Sequence, residues 1–266
     1  MYFFRRKVLD SNKKRKVIIH KHLFKNAGTT FDWSLRKNFG TAFCDHRNDM
    51  PMREQGEVYL LNFLQEHPEI KALSSHHIVF NFSVNSAIEL IPVYILRHPI
   101  ERIRSVYNFE KIQQSTSLGA IMAKKMNFKE YVAWRMRLDV PATIRDFQTI
   151  YCSGIKTQNS LTEYHYKLAQ AELEKCNFVG IVDLYGKSMK VFESEFEKLN
   201  ISVDLSFIPQ NVNQSINNVN YEDRAKEVLD ELGKLAQEVL DKNQFDLALY
   251  NFARERLIRS YQLLKI

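Results

Sequence analysis

Cysteine is scarce in this 266-residue chain. Cys44, Cys152 and Cys176 are odd in number and far apart, so neither a disulfide framework nor a zinc site is expected. Such thiols read as buried or idle in a reducing compartment. Long apolar runs are missing too: none reaches the ~18 residues of a spanning helix. Only Met1 to Phe4 precede the first basic cluster, too few for the apolar region of a signal peptide. The chain is therefore expected to be cytoplasmic. The sequons Asn81-Phe-Ser83 and Asn213-Gln-Ser215 carry little weight without an export signal. No internal repeat is visible.

What the chain does have is a core and a lopsided charge. Hydrophobic residues make up 45% and aromatics 12%, enough for one large α/β domain. The net charge of +7 is concentrated at one end: Arg5, Arg6, Lys7, Lys13, Lys14, Arg15 and Lys16 face Asp10 alone. The expected division is a basic arm over residues 1–16 and a single domain over 17–266. The arm reads as a solvated lead-in to the first strand, with weak contact to an anionic membrane surface as the alternative. Nucleic-acid binding is not expected, because a binding face spreads its cations over the fold and the remaining 250 residues are nearly neutral.

Periodicity gives strands separated by helices. The β-branched run from Val17 predicts a strand, a short loop, and a helix to about Asn38. Residues 40–56 read as a connecting loop and Val58 to Leu64 as a short helix. Lys71 to Phe80 reads as two extended segments around Ser74-Ser-His-His77, and Ile91 to Leu96 as a buried strand. Pro99 opens a helix with the apolar stripe Ile100, Ile103, Val106 and Tyr107, and Ser105 falls nearly opposite it. Residues 113–127 lose periodicity and read as mobile. Helices are expected over 128–137, 140–151, 162–175 and 185–199, with a strand from Phe178 to Val182. An asparagine-rich loop over 209–220 and two helices, 222–240 and 245–264, close the chain. This alternation predicts an α/β fold, a central mostly parallel sheet flanked by helices, with ligands beyond the strands' carboxyl ends.

Three features fall at those ends. The first is the loop Lys25-Asn26-Ala27-Gly28-Thr29-Thr30. Strand, short loop and helix N-terminus present backbone N–H groups and a cation to one anion. The order is not that of an ATPase loop, G-x-x-x-x-G-K-S/T, since Lys25 precedes Gly28 and no glycine opens the loop. Thr29 and Thr30 are expected to add hydroxyls and cap the helix; Ala27 is expected to hold ordinary backbone angles. The second is Arg97 at a strand end, a fork suited to a phosphate, with Ser105 eight residues on. The third is His76-His77: a metal fragment lacks a third ligand at sensible spacing, which leaves a structural histidine or a single general base.

Together these residues carry a resemblance. Lys25-Asn-Ala-Gly-Thr-Thr-Phe31, with His22 three before the lysine, is similar to the 5′-phosphosulfate loop of carbohydrate sulfotransferases. It is closest to the heparan sulfate 2-O/6-O type, H-I-P-K-T-G-G-T-T-F. Leu96-Arg-His-Pro-Ile-Glu-Arg-Ile-Arg-Ser-Val-Tyr107 resembles that family's 3′-phosphate motif, L-R-D-P-V/I-x-R-x-x-S-x-Y/W. Ser75-His76 stands where the family has Gly-His with its base. Phe147-Gln-Thr149, Phe178 to Tyr185 and Asn211-Val-Asn-Gln-Ser215 resemble later segments, so the likeness runs over about residues 17–262. The departures are Phe24 for proline, Asn26 and Ala27 in the loop, Ser75 for glycine, His77 for an aromatic, and His98 for an aspartate, a poorer helix cap.

The resemblance implies a P-loop-like sulfotransferase fold and the donor 3′-phosphoadenosine 5′-phosphosulfate, with no metal required. It implies that Lys25 stabilises the breaking bond and that Asn26, Ala27, Gly28, Thr29 and Thr30 hold the 5′-phosphate. Arg97 and Ser105 would then hold the 3′-phosphate, Gln148 would join the donor site, and His76, by its register, would serve as base in preference to His77. The acceptor is expected to be a saccharide hydroxyl, with basic residues Lys124, Lys125, Lys129, Arg135 and Arg137 as a candidate glycan face or a solvated helix face. A lipid, peptide or small-molecule acceptor is an alternative. A nucleotide-phosphate-binding protein without transfer, or a kinase-like enzyme, is another; the missing ATPase loop order counts against the kinase.

Overall fold

The computed structural model describes residues 14–83, 87–155, 161–207 and 221–264. Five strands, β1 (Arg15–Lys21), β2 (Phe43–Asp45), β3 (Ala72–Ser75), β4 (Ile88–Leu96) and β5 (Phe178–Ile181), form one all-parallel sheet in the order β2-β3-β1-β4-β5. The helices are α1 (Gly28–Phe39), α2 (Asp49–Gln55), α3 (Glu57–Glu66), α4 (Pro99–Ile112), α5 (Leu118–Lys125), α6 (Phe128–Met136), α7 (Phe147–Ser153), α8 (Glu163–Lys175), α9 (Tyr185–Lys198), α10 (Tyr221–Leu232), α11 (Ala236–Asp241) and α12 (Gln244–Gln262). The fold is α/β, a central sheet flanked by helices, as expected. Among the described residues no helix is long and apolar enough to cross a membrane.

The sheet is covered on both faces, which is why Val17 to Lys21 are buried without alternation. Val17 and Ile19 pack with Met52, Leu60 and Leu64 of α2 and α3. Ile18 belongs to the cluster of Phe31 and Leu35 of α1 and Phe192 and Phe196 of α9. A separate helical core joins Ile100, Ile103 and Val106 of α4 to Phe128, Tyr131 and Val132 of α6 and Val228 and Leu232 of α10. Buried inside it, Arg135 meets both Glu110 oxygens at 2.7 Å and Tyr131 donates to Glu110 at 2.5 Å. After β1 the chain crosses to one side of the sheet, and after β4 to the other. The crevice between these two strand ends is where a parallel sheet opens to a ligand.

Several expectations need correction. The break at residue 16 falls inside β1: Arg15 is a strand residue whose guanidinium takes the carbonyls of Leu64, His67 and Ile70 at the end of α3, and Lys16 donates to Leu199 O. Residues 40–56 are not a loop, since they hold a 3-10 turn, the edge strand β2 and α2; three-residue strands are too short to show a period. Residues 113–127 contain α5, capped by Ser117, whose buried face is Gly119, Ala120 and Ala123. Such small residues leave no apolar stripe to read. The helix expected over 140–151 begins only at Phe147, because Asp146 adopts φ 41°. The second extended segment, after His77, is not a strand: His76 and His77 form a turn and residues 78–80 are irregular. The penultimate helix breaks at Gly233, φ 58°. The asparagine-rich loop, with Asn211, Asn213 and Ser215, lies outside the described residues, as do Arg5 to Lys13 of the arm.

Candidate functional site

The loop after β1 turns on two left-handed residues. Lys25 has φ 66° and Ala27 φ 57°, so the expectation of ordinary angles at Ala27 is wrong. Alternating left-handed and ordinary backbone turns successive N–H groups to one side, the geometry of an anion nest. The loop's carbonyls are taken from the other side: Arg102 Nε donates to Phe24 O at 3.0 Å and Arg97 Nη1 to Lys25 O at 3.4 Å. Ala27, not a threonine, is the N-cap of α1, and it makes no side-chain cap. Thr29 and Thr30 therefore stand in the first helical turn, Thr29 exposed and Thr30 buried, with Thr30 N donating to Ala27 O at 3.1 Å.

A non-glycine residue at φ > 0 costs about 1–2 kcal/mol. Ala27→Gly should therefore raise stability by about 1 kcal/mol, a gain of about 2–4 °C in melting temperature. A lower melting temperature for this variant would show that the methyl group contributes more packing than it costs in strain.

Gly28 is required by crowding. A Cβ there would stand 2.1 Å from His22 Cδ2 and Nε2, so the His22 ring lies directly under the loop. Asn26 fastens the loop from below, its Nδ2 donating to Ile95 O at 2.9 Å and Gln148 Oε1 at 2.7 Å. Gln148 is fully buried on α7 and also holds the Arg97 backbone at both ends: Arg97 N donates to its Oε1 and its Nε2 donates to Arg97 O, each at 2.9 Å. Gln148 and Asn26 are thus clamps between the two candidate phosphate motifs, with Gln148's polar atoms spent on the protein.

Cations converge on this crevice. Burial, and then the charges of Arg97 and Arg102, push the Lys25 ammonium down to about 8, and it rests 4.3 Å from the Phe109 ring centre. Burial pushes Arg102 down to about 9 and lowers Arg97. Among the described residues, Arg97 Nε and Arg102 Nη2 are buried and meet no hydrogen-bond partner, an arrangement that an incoming anion would relieve. Ser105 sits half-buried on α4 and shares no hydrogen bond with Arg97. His98 precedes Pro99 without a side-chain cap, as its residue type suggests.

At the end of β3 the two histidines differ. His77 has both nitrogens engaged: Arg53 Nε donates to Nδ1 at 2.8 Å, which leaves Nε2–H against Asp49 at 2.8 Å. His76 uses one, with Nδ1 against His22 O at 2.8 Å. A carbonyl only accepts, so Nδ1 carries the proton and Nε2 keeps a lone pair. Burial, and then His22, push His76 down to about 3, so the ring is neutral, and an imidazolium there would need an offsetting negative charge to form.

Beneath this pair lies a cluster that sequence reasoning missed. His20, His22 and Asp32 are buried together. Asp32 Oδ1 meets His20 Nδ1 at 2.7 Å and Oδ2 meets His22 Nδ1 at 2.9 Å, with Ser74 Oγ 3.1 Å from His20 Nδ1. A metal does not fit well here: the two rings are nearly parallel, 23° apart with centres 4.9 Å apart. Their in-plane lone pairs run side by side and do not converge on one ion. Two N–H donors sharing one carboxylate account for every distance. The available signal was a polar residue beside Phe31 on the buried face of α1, and two histidines on one strand face at i, i+2.

The candidate site is also tied to a buried acid pair. Asp246 at the start of α12 accepts from the Gln148 and Thr149 amides at 3.0 and 2.7 Å, and Asp146 before α7 accepts from Asp246 N at 2.8 Å. Each carboxylate thus serves the other's helix. Burial, and then Asp246, push Asp146 up to about 8. The folded state therefore holds a proton that the unfolded chain releases near pH 4, and stability should fall as pH rises from about 4 to 8. The slope for one proton is at most about 1.4 kcal/mol per pH unit. Urea unfolding at pH 5 and pH 8 should show that fall in the wild type and a flatter one in Asp146→Asn, since asparagine tolerates the left-handed backbone. Equal slopes would remove Asp146 as the proton holder.

No family model matches the chain. A protein of Archaeoglobus fulgidus, described only as uncharacterized, is 27% identical over 260 residues, spanning 93% of this chain and 98% of its own length.

Proposed function

We propose that the protein is a sulfotransferase that moves a sulfuryl group from 3′-phosphoadenosine 5′-phosphosulfate to a hydroxyl, with a saccharide as the first acceptor to test. The observation that carries this reading is the meeting, at adjacent strand ends, of an anion nest bearing Lys25, an arginine pair with unsatisfied buried nitrogens, and a neutral histidine with one bare nitrogen. One anion site alone would suit many phosphates. Two cationic motifs clamped together by Gln148 suit a ligand with phosphates at two positions.

In this reading the amides of Ala27, Gly28 and Thr29, with the Thr29 and Thr30 hydroxyls, hold the 5′-phosphate; Asn26 N and Thr30 N are spent on Leu23 O and Ala27 O. Arg97, assisted by Ser105, takes the 3′-phosphate. His76 Nε2 accepts the acceptor's hydroxyl proton as the acceptor oxygen bonds to sulfur. The bond from sulfur to the bridging oxygen breaks in line, and the electron pair stays on 3′-phosphoadenosine 5′-phosphate, where Lys25 offsets the new charge. Transfer of this kind depends on positioning and charge stabilisation. The Lys25 ammonium is poised for it, because a cation discouraged by burial and by neighbouring arginines gains most from an arriving anion.

Incubating the full chain with sulfur-labelled donor and a panel of glycans, small phenols, lipids and peptides tests the assignment. Labelled product in the glycan arm supports the saccharide reading, and product in another arm reassigns the acceptor. Donor binding without product in any arm favours a binding protein without transfer.

A further inference from the structure

Asp32 is the one carboxylate in the buried cluster beneath the loop, and nothing in the transfer step above uses it. It stands on α1, 8% exposed, bracketed by His20 and His22. Burial works against its ionised form, yet the two histidines outweigh that and hold it well below the usual carboxylate range. Burial in turn lowers His20, so its ring is neutral and its Nδ1 carries the proton that Asp32 accepts. The carboxylate has a second oxygen, and that oxygen faces His22 Nδ1.

His22 is the shared support of the site. Its ring blocks the Cβ position of Gly28, so it sets the floor of the anion loop. The same ring packs on His76, with centres 3.9 Å apart, and the His22 carbonyl accepts from His76 Nδ1. A flipped tautomer that leaves the ring in place keeps the floor of the loop and changes only the face turned to His76.

We propose that Asp32 is a positioning residue: through His22 it seats His76, keeping the bare Nε2 in place and steadying the imidazolium that forms when His76 takes a proton. This rests on the sulfotransferase reading for its chemistry but not for its geometry. A buried carboxylate that fixes an imidazole's tautomer and later faces its positive charge is an established device. Here it acts one ring removed, and His20 is the second donor that keeps the carboxylate ionised and still.

The test combines a spectrum with a variant. Long-range proton–nitrogen spectra of the full chain with labelled histidine should show both His22 and His76 as Nδ1–H tautomers; His22 protonated on Nε2 instead overturns the proposal whether or not the protein transfers sulfate. In Asp32→Asn, the amide forces one of the two histidines to the other tautomer. The melting shift given by 3′-phosphoadenosine 5′-phosphate should persist while sulfate transfer falls by about 10- to 100-fold, the usual effect of losing a partner behind a functional histidine. The base limb of the pH–rate profile should also move. Unchanged turnover and an unmoved limb overturn the proposal, as does a variant that loses the bisphosphate shift together with transfer, which would assign Asp32 to folding alone. A wild-type chain that neither shifts with the bisphosphate nor transfers sulfate defeats the sulfotransferase reading instead, and the tautomer spectrum still decides the role of Asp32.

Discussion

His76→Ala is expected to keep its affinity for 3′-phosphoadenosine 5′-phosphate and to lose about 10²–10⁴-fold in sulfate transfer, the contribution of a positioned base. The separation of the two effects follows from where the ring sits. His76 touches the protein through its Nδ1 bond to the His22 carbonyl and its face on the His22 ring, and none of the loop's fastenings pass through it. Its neighbour supplies the control. His77 is held on both nitrogens, by Arg53 and Asp49, so it has no lone pair to offer. His77→Ala should lower turnover only slightly, through loosening of α2. A large loss at His77 with little at His76 would reverse the assignment of the base.

Lys25→Ala is expected to cost about 2.7–4 kcal/mol of barrier, or about 10²–10³-fold in turnover, as for other groups that stabilise developing charge. The wild-type lysine is in an uncomfortable place before ligand arrives, half-buried between Phe109 and two arginines. Its charge is lost as pH rises through about 8, so under the proposed function transfer carried by the ammonium should fall above that pH in the unliganded protein. Bound anion should move this limb upward. Lys25→Arg is a poor rescue: the fork is longer and planar, whereas the leaving oxygen needs a compact charge. A Lys25→Ala variant that transfers sulfate as fast as the wild type would remove the lysine from the proposed reacting bond, whatever its effect on affinity.

The main frame was legible because it is written in local signals. Val17-Ile-Ile19 and Val93-Tyr-Ile-Leu96 are runs that only a sheet covered on both faces accommodates. Pro99 marks a helix start, and the lysine-to-glycine loop sits between strand and helix. What escaped was written in contacts across the chain. Asp32 lies 12 residues from His20, and the meaning of either appears only when α1 folds back over β1. Gln148 resembled a ligand contact, whereas its partners, Asn26 and Arg97, lie 122 and 51 residues away. Ala27 carries a backbone angle that its side chain gives no reason to expect, and the loop takes it because Asn26, Arg97 and Arg102 hold the chain from three directions. Short elements such as β2 and α5 escaped because three strand residues, or a helix face of glycine and alanine, make no periodic stripe.

The most direct test of the proposed two-phosphate site is the melting temperature of the full chain with 3′-phosphoadenosine 5′-phosphate and, separately, with ATP and magnesium. At 100 times its Kd a ligand adds about 2.7 kcal/mol of stability. The account predicts a clear rise with the bisphosphate, little or none with ATP, and loss of the rise in Arg97→Ala. A rise with ATP and none with the bisphosphate would contradict it.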